Sequence, residues 1–209
     1  MDEFNRILKT SREMAERFPG LVFIGGIAVW VYAVSDPHTR RLKEASHDID
    51  FMISFSDLAA LRDTDEVTPN KRLNKHHLIR DGIEFDIYVE RNNKLIVPYD
   101  QVFAHSKNFG VMRVACLEHL FCLKLDALAD RKGTAKGDKD ERDLVRIAML
   151  GGRGMRKNLM RSYLREKQMK ALQILSRSQV FLDITKGNAH QARKIEKEFE
   201  VVAIKLLKA

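Results

Sequence analysis

Residues 83–89, Ile-Glu-Phe-Asp-Ile-Tyr-Val, alternate apolar and polar without a break. That two-residue period belongs to a strand with one buried face, so Ile83, Phe85, Ile87 and Val89 point to a core and Glu84, Asp86 and Tyr88 point away. Just before them, Asp81-Gly82 is a favoured two-residue hairpin turn, and residues 76–80, His-His-Leu-Ile-Arg, supply the other arm. A second segment, Ser46-His47-Asp48-Ile49-Asp50-Phe51-Met52-Ile53, has the same period. It places Ser46, Asp48 and Asp50 on one face and His47, Ile49, Phe51 and Ile53 on the other.

Around these strands the pattern is largely helical. Residues 2–18 carry Phe4, Ile7, Leu8, Met14 and Phe18 at helical spacing, and Pro19-Gly20 ends that helix. Residues 21–24 form a short buried strand, and Gly25-Gly26 opens a helix running through Val34, closed by Ser35-Asp36-Pro37. A polar, basic loop covers 38–45, and 56–62 reads as a short helix capped by Ser56. Further strands are expected near 94–97 and 111–114. From Leu117 the pattern stays helical, over 117–130, about 139–150, 155–176 and 189–208, with Gly151-Gly152-Arg153-Gly154 as the clearest break. The fold class expected is α+β, a mixed sheet flanked by helices over 1–114, followed by a helical domain over 115–209. Trp30, at helical spacing with Ile27, is expected in the core, and His76-His77 at a solvated strand start.

The chain has 209 residues, 44% of them apolar, enough for one sizeable core or for a domain with a smaller companion. Its apolar run over residues 21–34 contains two glycines and falls short of the roughly 20 residues that cross a bilayer. The first residues read as charged helix and not as a signal peptide. Cys116 and Cys122 suggest neither a zinc site nor a disulfide framework. A cytoplasmic protein without membrane contact is the expectation. The net charge of +8 is uneven: residues 151–209 hold 14 lysines and arginines against 5 acids, and the rest of the chain is within one charge of neutral. Such a surface attracts polyanions, nucleic acid first, although charge runs are often no more than solvated helix faces.

The chemistry suggested by these residues lies in the carboxylates. If the 83–89 strand pairs beside 48–53, Asp48, Asp50 and Asp86 converge, and three clustered carboxylates need a counter-charge. Mg²⁺ or Mn²⁺ would supply it, because hard cations prefer carboxylate and phosphate oxygens. Taken alone, Asp-x-Asp is ordinarily the wet face of a half-exposed sheet. Gly25-Gly26, between a strand and a helix, allows close backbone approach and offers helix N–H groups to a phosphate, but it too is weak alone. Lys124 lies in the stripe Leu117, Phe121, Lys124 and Leu128 of a helix, where an ammonium must snorkel or meet an anion. Asp140 and Asp143 are placed in a first helical turn, where the dipole favours acids.

Taken in order, "IGGIAVWVYA", "SHDIDFMI" and "IEFDIYV" resemble the DNA polymerase β-type nucleotidyltransferases. The Ser-x-Asp-x-Asp form and "LKLDALADR…KDERDL" look most like the AbiEii-type nucleotidyltransferase toxins. The superfamily likeness spans about 20–90, the narrower one runs to about 150, and 151–209 matches no pattern. The resemblance implies a Mg²⁺- or Mn²⁺-dependent enzyme that moves NMP from an NTP to an acceptor hydroxyl. That acceptor would be RNA, such as a tRNA 3′ end, in a toxin paired with an antitoxin protein. Gly25 and Gly26 would hold the triphosphate, with Ser46 supporting that turn. Asp48, Asp50 and Asp86 would bind metal, Asp86 being positioned to deprotonate the acceptor. Lys124 would neutralise triphosphate charge with Asp143, or less so Asp140, as partner. The turn is Gly-Gly and lacks the serine of some relatives, and the long segment before Asp48 leaves Arg40 and Arg41 as open triphosphate contacts. The alternatives are a small-molecule nucleotidyltransferase of the aminoglycoside-modifying kind and a non-catalytic nucleotide- or RNA-binding protein of the same fold.

Overall fold

The structure, a computed structural model, describes residues 3–207, with only the backbone of Lys205. The chain divides into two compact units, Met1–Cys116 and Leu117–Ala209. The first contains α1 (Glu3–Arg17), β1 (Val22–Ile24), α2 (Gly25–Ser35), a 3-10 turn (Arg40–Leu42), β2 (Asp48–Ile53), α3 (Phe55–Arg62), β3 (Thr68–Asn70), β4 (Lys75–Arg80), β5 (Ile83–Val89), α4 (Tyr99–Ala104), β6 (Lys107–Phe109) and β7 (Met112–Val114). The strands form one mixed sheet in the order β3-β4-β5-β2-β1-β7-β6. β2 runs parallel to β5 and β1 to β7, and the remaining neighbours are antiparallel.

The alternation read from β5 is the burial observed: Ile83, Phe85, Ile87 and Val89 are buried and the residues between them are not. Phe23, Phe51 and Phe85 meet edge to face across β1, β2 and β5, with ring centroids 6.4 and 6.2 Å apart. All three are fully buried. Each contributes about 2–3 kcal/mol of burial, and the edge-on geometry adds to it. This apolar spine aligns the three central strands, which fixes where their outward residues stand. The hairpin also forms as expected. Asp81 and Gly82 take φ of +54° and +74°, the left-handed pair of a type I′ turn.

Several local expectations give way. The cap of α3 is Ser54, not Ser56: its Oγ accepts the Asp57 N–H at 3.1 Å, one turn into the helix. No strand forms at 94–97. Arg91 at φ +56° and the Asn93 side chain, which donates to Val89 O and accepts from Leu95 N, turn the chain out of the sheet. Val97 still plugs the core. Two short outer strands carried too little pattern to read, β6 and β3, the latter with Pro69 in an edge position. His76 is buried, not solvated, and its Nε2 lies 3.1 Å from an Arg62 guanidinium nitrogen. Trp30 is half-buried, packed edge-on against Phe4 at 5.0 Å.

The second unit contains α5 (Leu117–Arg131), α6 (Ala135–Gly151), a 3-10 turn (Gly152–Gly154), α7 (Asn158–Arg161), α8 (Glu166–Leu175), α9 (Val180–Ile184) and α10 (Ala189–Leu207). Phe121, Phe181 and Phe199 meet at its centre. The helix expected over 155–176 is broken in two. Glu118 Oε1 accepts both the Arg156 N–H (3.1 Å) and Arg156 Nε (2.9 Å) just ahead of α7, and Gln168 Oε1 accepts the Arg165 N–H (3.0 Å) at the N-cap of α8, so a side chain takes a backbone donor before each of the two pieces. α6 begins at Ala135, capped by Thr134, so Asp140 and Asp143 fall in its second and third turns and the dipole does not explain them. Among the described residues no helix is long and apolar enough to cross a membrane.

Burial alone would raise the Glu118 carboxyl, but the Arg156 hydrogen bonds and charge outweigh it and hold it at about 2 against an ordinary 4.5. A depressed folded value stabilises the protein above the unfolded value and is lost as pH falls through the folded one. Glu118→Gln is therefore expected to cost on the order of 2–3 kcal/mol at neutral pH. The gap to the parent protein should close as pH falls from 4.5 toward 2, read by denaturant unfolding at each pH.

Candidate active site

Two groups of polar residues stand out, one in each unit. In the first, β1 ends at Ile24, whose Cα partner across the antiparallel ladder is Asp50. On the other side of β2, Asp50 is the direct Cα partner of Asp86 and Asp48 is that of Glu84. Adjacent strands are about 4.8 Å apart, so Asp50 and Asp86 project side by side from one face. Ser46 is buried and its Oγ donates to Asp48 Oδ1 at 2.9 Å. The serine expected to support the glycine turn thus contacts the first carboxylate.

Gly25 begins α2 immediately after β1, at φ +68°. A Cβ there would stand 2.1 Å from Asp50 Oδ2 and 2.9 Å from Asp50 Cβ. Only glycine fits, on both conformational and steric grounds. The start of an 11-residue helix, whose first N–H groups have no partner within the helix and whose dipole end is positive, is therefore set against the Asp50 carboxylate. Gly26 is buried in the same turn. Arg40 and Arg41 lie exposed in the 3-10 turn.

Asp86 has a protein counter-charge absent from the sequence reading. The Lys75 ammonium, from the first residue of β4, makes an ion pair with Asp86 Oδ2. Both side chains are mostly covered, at 15% and 19% exposure. The turn contains the signal that finds this lysine. Counting pairs outward from Asp81-Gly82, Arg80 meets Ile83 and His77 meets Asp86, so Lys75 lies one diagonal step away on the same face.

Among the described residues no three His, Cys, Asp or Glu side chains are grouped to hold a cation by themselves. This donor set still suits Mg²⁺, which keeps several waters and usually takes one or two carboxylates together with substrate phosphates. Asp48, Asp50 and Asp86 would be the protein ligands.

The second group lies between α5 and α6. Lys124 Nζ stands 3.1 Å from Asp140 Oδ1 and 2.7 Å from Asp143 Oδ2. Arg131 Nε adds a 2.6 Å bond to Asp140 Oδ2, and Arg146 reaches Asp143 at 3.4 Å. The two aspartates are 1% and 4% exposed, so their carboxylates are buried, and every charge in the network has an opposite neighbour. It explains the lysine in the apolar stripe.

The steric account of Gly25 predicts coupling with Asp50. Gly25→Ala should cost about 2 kcal/mol or more, of which about 1 comes from φ alone. In an Asp50→Gly background most of the excess should vanish, a coupling of about 1 kcal/mol in a double-mutant cycle read by denaturant unfolding.

Neither a family model nor a curated protein matches the chain. Solved structures do. An antigenic nucleotidyltransferase-like protein from Paracoccidioides brasiliensis superposes with a TM-score of 0.54 at 15% identity, covering 86% of this chain and 91% of that one. JHP933 from Helicobacter pylori gives 0.51 at 15% identity, over 97% and 92%. A Helicobacter pylori protein provisionally assigned as a nucleotidyltransferase gives 0.53 at 15% identity, over 97% and 95%. Joined to the seven-stranded mixed sheet and its helices, these likenesses establish the fold of the chain as α+β and nucleotidyltransferase-like.

Proposed function

We propose that the protein is a metal-dependent nucleotidyltransferase that moves NMP from an NTP to an acceptor hydroxyl, with RNA as the acceptor. The observation that carries this reading is the pairing of Asp50 with Asp86 on adjoining strands, with Gly25 packed against Asp50. A patch of like charge beside a helix N-terminus suits a ligand that brings both cation and phosphate. Asp48 and Asp50, with Asp86 as the third carboxylate, hold the cation, and Gly25 and Gly26 let the triphosphate approach the start of α2. Asp86 takes the proton of the acceptor hydroxyl as its oxygen bonds the α-phosphorus and the bond to pyrophosphate breaks. The bound cation, once present, neutralises charge on the phosphate oxygens. Positioning and charge supply most of the rate in such transfers. Lys124 is read as the tie between α5 and α6. Its ammonium is already shared by two carboxylates, which occupies the charge that the sequence expectation gave to the triphosphate.

RNA is favoured as acceptor over a small molecule by the second unit. Its lysines and arginines between Arg153 and Lys197 are exposed. A cleft of about 420 Å³ is lined by Arg153, Lys194 and Lys197 with Glu198, Met149 and Val201. The tRNA 3′ end is the first acceptor to try, and a toxin role with an antitoxin partner is the extension that the sequence resemblance adds.

The test is incubation with each labelled NTP, Mg²⁺ and total RNA, with small-molecule fractions in parallel. Asp48→Asn and Asp50→Asn should each lower transfer at least about a hundredfold while the circular dichroism melt is retained. Undiminished transfer would refute the assignment. For the acceptor, Lys194→Glu with Lys197→Glu should weaken RNA binding and flatten its salt dependence by about 1.4 in the log–log slope, two single-strand phosphate contacts at about 0.7 each.

A further inference from the structure

The face of the sheet that carries the carboxylates is already charge-compensated in one place. β5 lies between β4 and β2, so Asp86 has Lys75 on one flank and Asp50 on the other. The Lys75–Asp86 pair is not an exposed one of little consequence, since both side chains are largely covered. Holding a long, flexible lysine in one geometry costs rotamer entropy, which the cluster of acids on this face offsets. We propose that Lys75 is the resident counter-cation of the carboxylate patch and competes with a divalent cation for Asp86, so that the cation binds together with the nucleotide and not ahead of it.

The inference rests on the reading of Asp48, Asp50 and Asp86 as cation ligands. Two observations point to competition. No three-donor group for a cation is assembled among the described residues, while the third carboxylate already has its Oδ2 on an ammonium. An ammonium within about 6 Å of a dication also opposes it, by roughly tenfold in affinity even at the dielectric of water. A triphosphate removes this opposition by adding negative charge and oxygen ligands of its own. Lys75 therefore keeps the acidic face compact in the nucleotide-free protein and discourages idle cation binding.

The experiment titrates Mn²⁺ into the nucleotide-free protein, following the free Mn²⁺ signal by electron paramagnetic resonance. Lys75→Met should bind Mn²⁺ about tenfold more tightly than the parent protein. Lys75→Arg, which keeps the charge, should bind as the parent does, and Asp50→Asn should abolish the gain in the Lys75→Met background. Unchanged or weaker Mn²⁺ binding by Lys75→Met overturns the counter-cation role while leaving the carboxylates as ligands. Absence of Mn²⁺ binding in the parent and in Lys75→Met, even with a non-hydrolysable NTP analogue, overturns the ligand reading itself. Melts of each variant establish folding, and Lys75→Gln, read by the same outcomes, replaces Lys75→Met if the latter does not fold.

Discussion

The parallel pairing of β2 with β5 is the constraint on which the rest of this molecule depends. It sets two acids of like charge side by side, an arrangement no fold adopts for its own stability. The pairing holds because the opposite faces of the same strands bury Phe51, Phe85, Ile49 and Ile87 in the core. Burial of those side chains contributes several kcal/mol, against a repulsion reduced by water and by Lys75. One face thus supplies the energy that lets the other carry chemistry.

The second unit handles charge differently. Lys124, Asp140, Asp143, Arg131 and Arg146 form a network around two buried carboxylates, with Arg131 reaching in from the surface, in which each group meets an opposite charge. Buried networks of this type add little net stability over an apolar core, and their plausible contribution is to specify which helix positions meet. Sliding α6 along α5 by one turn would strand at least one aspartate away from its cation. Pairing Glu118 with Arg156 does similar work between the 3-10 turn and α7, holding a backbone N–H just ahead of that helix.

Legibility in the sequence followed the strength of each local pattern. The alternation of residues 83–89, the Asp81-Gly82 turn and the outward placement of Asp48, Asp50 and Asp86 were all readable, because a period of two fixes faces without knowledge of partners. The long helices α1, α5 and α10 were readable for the same reason at a period of 3.6. What escaped depended on tertiary partners. Residues 155–176 have helical composition, yet the chain forms two pieces, and the side chains of Glu118 and Gln168 take backbone N–H groups ahead of each. His76 looked like a wet strand start, but Arg62 of α3 covers it. At the site, Gly25 was readable as a turn, but its reason is the Asp50 carboxylate 2.1 Å from where a Cβ would stand. Lys75 fell one residue outside the arm of the hairpin that the pattern marked.

The two-residue connection at Asp81-Gly82 has a reach beyond its own bend. In a hairpin the tip sets the count, and every rung below inherits it. Lengthening the tip by one residue would turn the lysine's arm over, sending the ammonium to the oily side and leaving Ile79 and His77 to trade places with their neighbours. The size of a surface loop, ordinarily the most forgiving dimension of a protein, is here a chemical coordinate: it decides where a positive charge lands five rungs away.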